Sequence, residues 1–260
     1  MTALLAASLL SPFFVELTPE VRTTYQSLGK IVEDRPMQTM LVRTGYDTET
    51  FGRYGFYNFD VSSLTDRRAD VHRHALYHTE YGLFGDYDWK FADNWMLRNG
   101  LMFAITLYRG FEDDASNGDY GWVQFVQSLE NPYVVPFYCM RRYGLDTDYF
   151  YFRVGVRRKC RFLDEFYATP EVHVDGGNSR NYRRVFGENI NGEDWGVGGI
   201  SSVTLRLEVG WELCENFTFF AFVEQYDIIG NDARDTNAAS ANPCAHNDWT
   251  FGGVGFRMRL

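Results

Sequence analysis

An all-β fold is predicted: a single closed, antiparallel up-and-down barrel of about twelve strands. Three observations predict it. Apolar residues recur at every second position in segment after segment, which is the period of a strand, not the three-and-four spacing of a helix. The connections between these segments alternate short and long. The last segment, Trp249 to Leu260, sets Val254, Phe256, Met258 and Leu260 on one face and Gly253, Gly255, Arg257 and Arg259 on the other.

The elements follow in order. From Phe14 to Tyr25, Val15, Leu17, Val21 and Tyr25 share one parity, and Glu16, Thr18, Glu20, Arg22 and Thr24 the other. Pro19 donates no ladder hydrogen bond and suggests an edge or a bulge. Ser27 to Arg35 reads as a loop. Met37 to Asp47 sets Met40, Val42 and Tyr46 against Arg43 and Asp47, and a tight connection at Thr48 to Gly52 leads to a strand through Val61. After a polar excursion, Ser62 to His72, a strand from about Arg73 to Lys90 places Tyr77, Thr79, Tyr81 and Leu83 opposite His74, His78 and Glu80. The turn Phe91 to Asn94 precedes Trp95 to Arg109, where Leu97, Leu101, Phe103 and Ile105 alternate with Arg98, Gly100 and Thr106.

An acidic loop, Gly110 to Asp119, leads to a hairpin of Tyr120 to Leu129 and Tyr133 to Tyr143. Tyr149 to Arg161 and Phe166 to Asp175 follow, the second setting Val172 and Val174 against Glu171, His173 and Asp175. Gly176 to Gly199 reads as a long loop. Ile200 to Leu213 is the cleanest strand, with Val203, Leu205, Leu207, Val209, Trp211 and Leu213 opposing Thr204, Arg206, Glu208 and Glu212. The turn 214–216, the strand Phe217 to Ile229 and a second long loop, Gly230 to Asn247, complete the chain before the closing strand.

An even strand number, with short turns at one end and long loops at the other, resembles the bacterial outer-membrane β-barrels. The final alternating strand is similar to their C-terminal assembly signal, which usually ends in Phe where this chain has Leu260. The resemblance covers residues 13–260. It implies a bacterial outer-membrane location, short periplasmic turns, longer extracellular loops, and outer-membrane lipid and lipopolysaccharide as surroundings. It also implies the barrel assembly machinery as a partner through the closing strand. Barrels of this size include channels for small solutes and acidic oligosaccharides, a phospholipase and secretion translocators, so the fold leaves the function open. Residues 1–12 are expected to be a signal-peptide remnant or an N-terminal tail; Ala6-Ala7-Ser8 resembles a cleavage region, but no basic segment precedes it.

Composition narrows the classes. Mean hydropathy is −0.33, and no run of about 20 apolar residues offers a spanning helix. Alternation makes a membrane barrel look soluble on average, and the 22 Phe and 17 Tyr supply aromatic belts, with Tyr87, Trp89, Trp95, Trp211 and Phe217 as candidates. A net charge of −10 speaks against nucleic acid, which wants a basic surface. Cys139, Cys160, Cys214 and Cys244 lack metal-ligand spacing and read as separate thiols.

If the apolar parity faces lipid, the other lines the lumen. The lumen-lining candidates are Glu16, Glu20, Arg22, Arg43, Glu80, Arg98, Arg153, Arg157, Glu171, Arg206, Glu208, Glu212, Arg257 and Arg259. Arg206 and Glu208 are expected to join a cross-strand network with Arg257, Arg259 and Arg22. Such charges either stitch the wall together or form a selectivity surface, and both can hold in a narrow lumen. The leading functional expectation is a narrow channel for small hydrophilic solutes, acidic ones among them. The alternative is a closed barrel that displays its loops for adhesion.

Arg180, Tyr182, Arg183 and Arg184 are extracellular-loop candidates for an acidic sugar or lipopolysaccharide, since guanidinium forks suit carboxylates and phosphates. The acidic stretches Glu112 to Asp114 and Asp232 to Asp235 lack a dedicated calcium spacing. His74 and His78, four apart on a strand, lie roughly 13 Å from one another by strand rise, too far to share a metal. Ser128 and Ser179 have no histidine on a plausible neighbouring face, so a lipid hydrolase is the least favoured reading. No cofactor or metal is expected.

Overall fold

The computed structural model describes residues 13–27, 30–33, 35–64, 77–109, 120–145, 148–186, 198–239 and 246–260. The chain runs β1 (Phe13–Arg22), β2 (Tyr25–Ser27), β3 (Lys30–Glu33), β4 (Met37–Thr48), β5 (Gly52–Ser63), β6 (Tyr77–Ala92), β7 (Trp95–Arg109) and β8 (Tyr120–Asn131). It continues through β9 (Val134–Gly144), β10 (Phe150–Arg157), β11 (Cys160–Arg161), β12 (Phe166–Gly177), β13 (Gly199–Cys214), β14 (Phe217–Ile228) and β15 (Asp248–Arg259). All except β2 and β3 belong to one antiparallel sheet in which sequential neighbours pair. β10 and β11 both lie along β12 and act as one strand interrupted at Arg158 and Lys159. The wall therefore has twelve strand positions.

The sheet closes where β15 meets β1, with Glu16 opposite Arg259 and Val21 opposite Val254. Closure leaves no unpaired edge, which a lipid-facing sheet could not tolerate. Pro19 does not make β1 an edge: it stands opposite Met40 in an unbroken β1–β4 ladder, and only the pairing with β15 skips Thr18 and Pro19. Register slips fall beside three of the short turns, between Lys90 and Ala92, Leu129 and Asn131, and Glu212 and Cys214. Bulges at a rim let strands bend into the turn.

On the closing strand the two parities have different tasks. Gly253 and Gly255 face inward beneath the rings of Phe222 and Phe220; a Cβ there would lie 2.8 and 2.7 Å from ring carbons. Glycine is what lets these aromatics lie flat on the wall.

Three stretches read as loops contain regular structure. Residues 27–35 include most of the β2–β3 hairpin. The long connection after β12 contains a helix, Ser179–Phe186, and the one after β14 a second, Asn231–Ala239. Both segments are too polar to show a strand period, and each is too short for helical periodicity to stand out. The first helix is fixed by its cap. Asn178 Oδ1 accepts from the Asn181 N–H at 2.9 Å and the Phe150 N–H at 3.1 Å, while its Nδ2 donates to the Asp148 carbonyl at 3.1 Å. An Asn at this position satisfies amides that the first turn leaves free. The expectations for residues 1–12, His72, His74, Glu112 to Asp114 and Cys244 lie outside the described residues.

Candidate functional site

The distribution of polarity is inside out. Leu83, Leu101, Phe103, Ile105, Phe137, Leu205, Leu207 and Val223 are all close to half exposed on the outer face, whereas Glu80, His173, Asp175, Glu208 and Glu224 are buried. Exposed aromatics gather on the outside near the short-turn rim, where Phe166 stacks on Trp211 and Phe217 on Phe256; Tyr87 and Trp89 are exposed there too.

Four groups of charge line the inner wall. The first runs from β15 to β6 near the short-turn rim. Arg53 meets Glu16 at 2.5 Å, Arg43 meets Asp86 at 2.5 Å and Glu16 at 3.6 Å, and Arg259 meets Asp47 at 2.5 Å. Each of these arginines reaches past one strand to the next, and Arg53 and Arg43 lie over Phe14 and Phe84 respectively. Glu20 stands on the same inward parity beside Gly255.

The second group belongs to β12–β15 and β1. Arg257 grips Glu208 with both terminal nitrogens, at 2.9 and 2.8 Å, and also donates to the Tyr167 hydroxyl at 3.0 Å. Arg206 bonds Glu208 at 3.0 Å and also Glu224, which Arg22 approaches to 3.6 Å. Sequence parity anticipates Arg206, Glu208, Arg257 and Arg22 in one network; Arg259 instead joins the first group. Its partners there are on β1 and β4, because the closing strand lies next to β1.

The third group spans β6 to β9. Glu80 accepts from Arg142 at 3.5 Å and Thr106 at 3.4 Å and lies 3.2 Å from His78. Arg142 rests on the Trp122 ring and donates to Gln124 at 2.9 Å. The fourth group joins β9, β10 and β12. Asp175, with no exposed surface, takes Arg153 at 2.7 Å and the Tyr151 hydroxyl. Glu171 takes the Tyr138 hydroxyl and lies 3.1 Å from His173. The groups share strands, so the bonding runs right round the barrel.

At the short-turn rim, Arg98 pairs with Glu130 at 3.1 Å and Asp88 at 3.6 Å, and Glu212 with Lys159 and, at 2.5 Å, Arg161. Arg157 lies over the Tyr138 ring, 5.2 Å from its centroid. It borders three hollows. One of about 500 Å³ lies among Arg153, Lys159, Glu171, Arg206, Glu208 and Arg257. One of about 560 Å³ lies towards Arg43, Asp47 and Asp86, and one of about 760 Å³ opens between the turns at 93–94 and 131–132.

The long-loop end is fuller. Tyr182, Val185 and Phe186 of the first helix pack with Ala233 of the second against Tyr226, Ile228 and Phe251 of the inner wall. Tyr182, an extracellular-loop candidate, is buried, because the helix turns Tyr182, Val185 and Phe186 to one side. Burial pushes its hydroxyl up to about 12. Arg180 is exposed and meets Asp148 at 2.5 Å, Arg183 is exposed, and Arg184 falls on the same helix. A separate aromatic cluster of Tyr57, Phe84, Tyr120, Trp122, Tyr149 and Tyr151 fills the inside of β5–β10.

Several wall residues are absent from the sequence candidates: Arg53, Asp86, Arg142, Asp175 and Glu224. Asp175 was legible by parity. Arg142 was not, because Arg141 beside it gives either parity a cation, and the Phe-rich β14 hides the face of Glu224. Among the described residues no group of three or more His, Cys, Asp or Glu is arranged to hold a metal. Of the described histidines, His78 and His173 are buried on the inner wall and His246 stacks on Trp249.

A closed antiparallel wall with apolar side chains outside and bonded charges inside defines a transmembrane β-barrel of the outer-membrane type. No family model matches the sequence, and no curated protein matches it. Solved barrels do align along nearly its whole length. The KdgM porin shares 11% identity, with 94% of this chain and 98% of that one covered at a TM-score of 0.48. The translocator domain of the autotransporter NalP from Neisseria meningitidis shares 11%, covering 100% and 94% at 0.45. The outer membrane phospholipase A from Escherichia coli shares 12%, covering 94% and 92% at 0.43. At such distances none of them bears on what this chain does.

Proposed function

We propose that this chain is a narrow, charge-lined channel of the bacterial outer membrane for small hydrophilic solutes, preferring anionic ones. One observation carries the reading. The lumen keeps hollows of about 500 and 560 Å³ between its ion-pair groups, and Arg157 borders both. The smaller hollow has Arg153, Arg157, Lys159, Arg206 and Arg257 against Glu171, Glu208 and Glu224. That cationic excess favours carboxylate-bearing solutes, which guanidinium forks hold well. The short turns face the periplasm and the long loops the exterior, with lipopolysaccharide around the outer leaflet and the assembly machinery engaging β15.

Arg157→Glu reverses two units of charge at the shared wall without breaking an ion pair among the described residues. In planar bilayers under a salt gradient, the wild type is expected to prefer anions and the variant to lose that preference severalfold, as charge at a constriction sets selectivity. An unchanged reversal potential refutes a selective lumen at this place. A closed barrel that displays its loops is the second reading, favoured by the two helices packed into the long-loop end.

A further inference from the structure

Inward cations on this wall are almost all paired. From Arg22 on β1 to Arg259 on β15, each arginine of the four charge groups meets a carboxylate, and at the rim Arg98 and Lys159 have Glu130 and Glu212. Lys90, Arg157 and Arg158 differ. None of them has a carboxylate partner among the described residues, all are exposed, and all three border the hollow of about 760 Å³ at the short-turn rim. With Arg98 and Lys159 they set five cations there against two acids, Asp93 and Glu130.

Local sequence places them. Arg157 and Arg158 run between two prolines, Pro136 on β9 and Pro170 on β12. The β9–β10 ladder ends at Phe137 and Val156, one step short of Pro136, and the pairing with β12 pauses opposite Pro170. Proline has no N–H to give a ladder, so the chain is released at Arg158 and Lys159. The Arg158 N–H still donates to the Pro170 carbonyl at 3.2 Å. Its Nη2 donates to the Pro132 carbonyl at 2.9 Å, which ties the guanidinium to the turn between β8 and β9. One bond occupies one of the five N–H donors that the group carries. Lys90 comes to the same hollow from β6, beside the register slip that ends that strand.

Like charges gathered around one hollow repel each other, and walls of low dielectric focus their field on a counter-ion that enters. A monovalent anion answers one of the three unpaired cations. A phosphate or diphosphate group answers them together, because its oxygens take guanidinium forks and an ammonium at once. The volume falls within the range of about 300–1,000 Å³ usual for small-ligand sites. We propose that the short-turn mouth is a binding site for compact, multiply charged anions of the phosphate class. Arg157, Lys159 and Thr169 line both this hollow and the inner one of about 500 Å³, so the site adjoins the lumen. It goes beyond the channel reading, since it needs only an open mouth.

Isothermal titration calorimetry of the refolded full chain with pyrophosphate at low salt is the test. The wild type is expected to bind pyrophosphate about tenfold or more tightly than acetate, and Lys90→Gln/Arg158→Gln to lose about tenfold or more of that affinity. Lys90→Arg/Arg158→Lys keeps both charges and should retain binding. Heat-modifiable migration checks each fold; should the double glutamine variant not fold, Lys90→Gln and Arg158→Gln singly decide, and each is expected to weaken binding. No saturable binding, acetate bound as tightly as pyrophosphate, or unchanged affinity in the glutamine variants overturns the proposal. Calorimetry needs no conducting lumen. A silent barrel that binds pyrophosphate upholds the site while the channel reading falls, and a conducting barrel that does not bind it does the reverse.

Discussion

Asp175→Leu is expected to destabilise the folded barrel by about 2–3 kcal/mol, because it leaves the buried Tyr151 hydroxyl and the part-buried Arg153 guanidinium without their acceptor. Asp175 has no exposed surface and binds Arg153 at 2.7 Å, the Tyr151 hydroxyl and the Ser202 hydroxyl, the last at 3.4 Å. Leucine cannot accept any of those bonds, and no other described carboxylate contacts Arg153 within bonding distance. Asp175→Asn keeps an acceptor for Arg153 and loses only the charge, so it should fall between wild type and leucine. Urea unfolding in lipid vesicles, followed by tryptophan fluorescence and heat-modifiable migration, gives the difference. Equal stability of wild type and Asp175→Leu would mean that the fourth charge group does not hold the wall.

Removing the rings that hold the first helix in the lumen is expected to open the long-loop end. Tyr182 and Phe186 bury against Tyr226, Ile228 and Phe251, and cutting a buried ring to alanine typically costs about 3–5 kcal/mol. A helix of eight residues has little stability of its own, so Tyr182→Ala/Phe186→Ala should release it while the strand ladders stay intact. Single-channel conductance is then expected to rise severalfold, with heat-modifiable migration unchanged. Intact migration with unaltered conductance would show that the helix does not obstruct passage. This measurement also divides the two functional readings, since a barrel closed by its aromatic layers stays silent in both forms.

The fold was legible because lipid and lumen impose opposite demands on alternate residues, and the chain obeys them over almost every strand. Ile200 to Leu213 shows this most cleanly, and its mates Arg206 and Glu208 do lie together in the lumen. What period-two reading could not give is anything that departs from the strand. The helix Ser179–Phe186 carries apolar side chains only at Tyr182, Val185 and Phe186, too few to stand out among its arginines. The site was harder still. Parity says which side a charge faces, but the partner depends on register, and no side chain signals register across a long loop. Arg259 shows the consequence: it belongs with Asp47 on β4, a strand more than two hundred residues earlier in the chain. Adjacent arginines such as Arg141 and Arg142 are the limiting case, since one must face lipid whichever parity is chosen.

The inside-out wall, with bonded charge around the lumen, is the centre of this account, and passage of ions through it is the direct test of the proposed channel. Planar-bilayer recording of the refolded wild-type chain should show discrete conductance steps, small in size and anion-preferring. Silence at every salt concentration and voltage, in the wild type and in Tyr182→Ala/Phe186→Ala alike, would contradict a channel and leave the display of the long loops as the function.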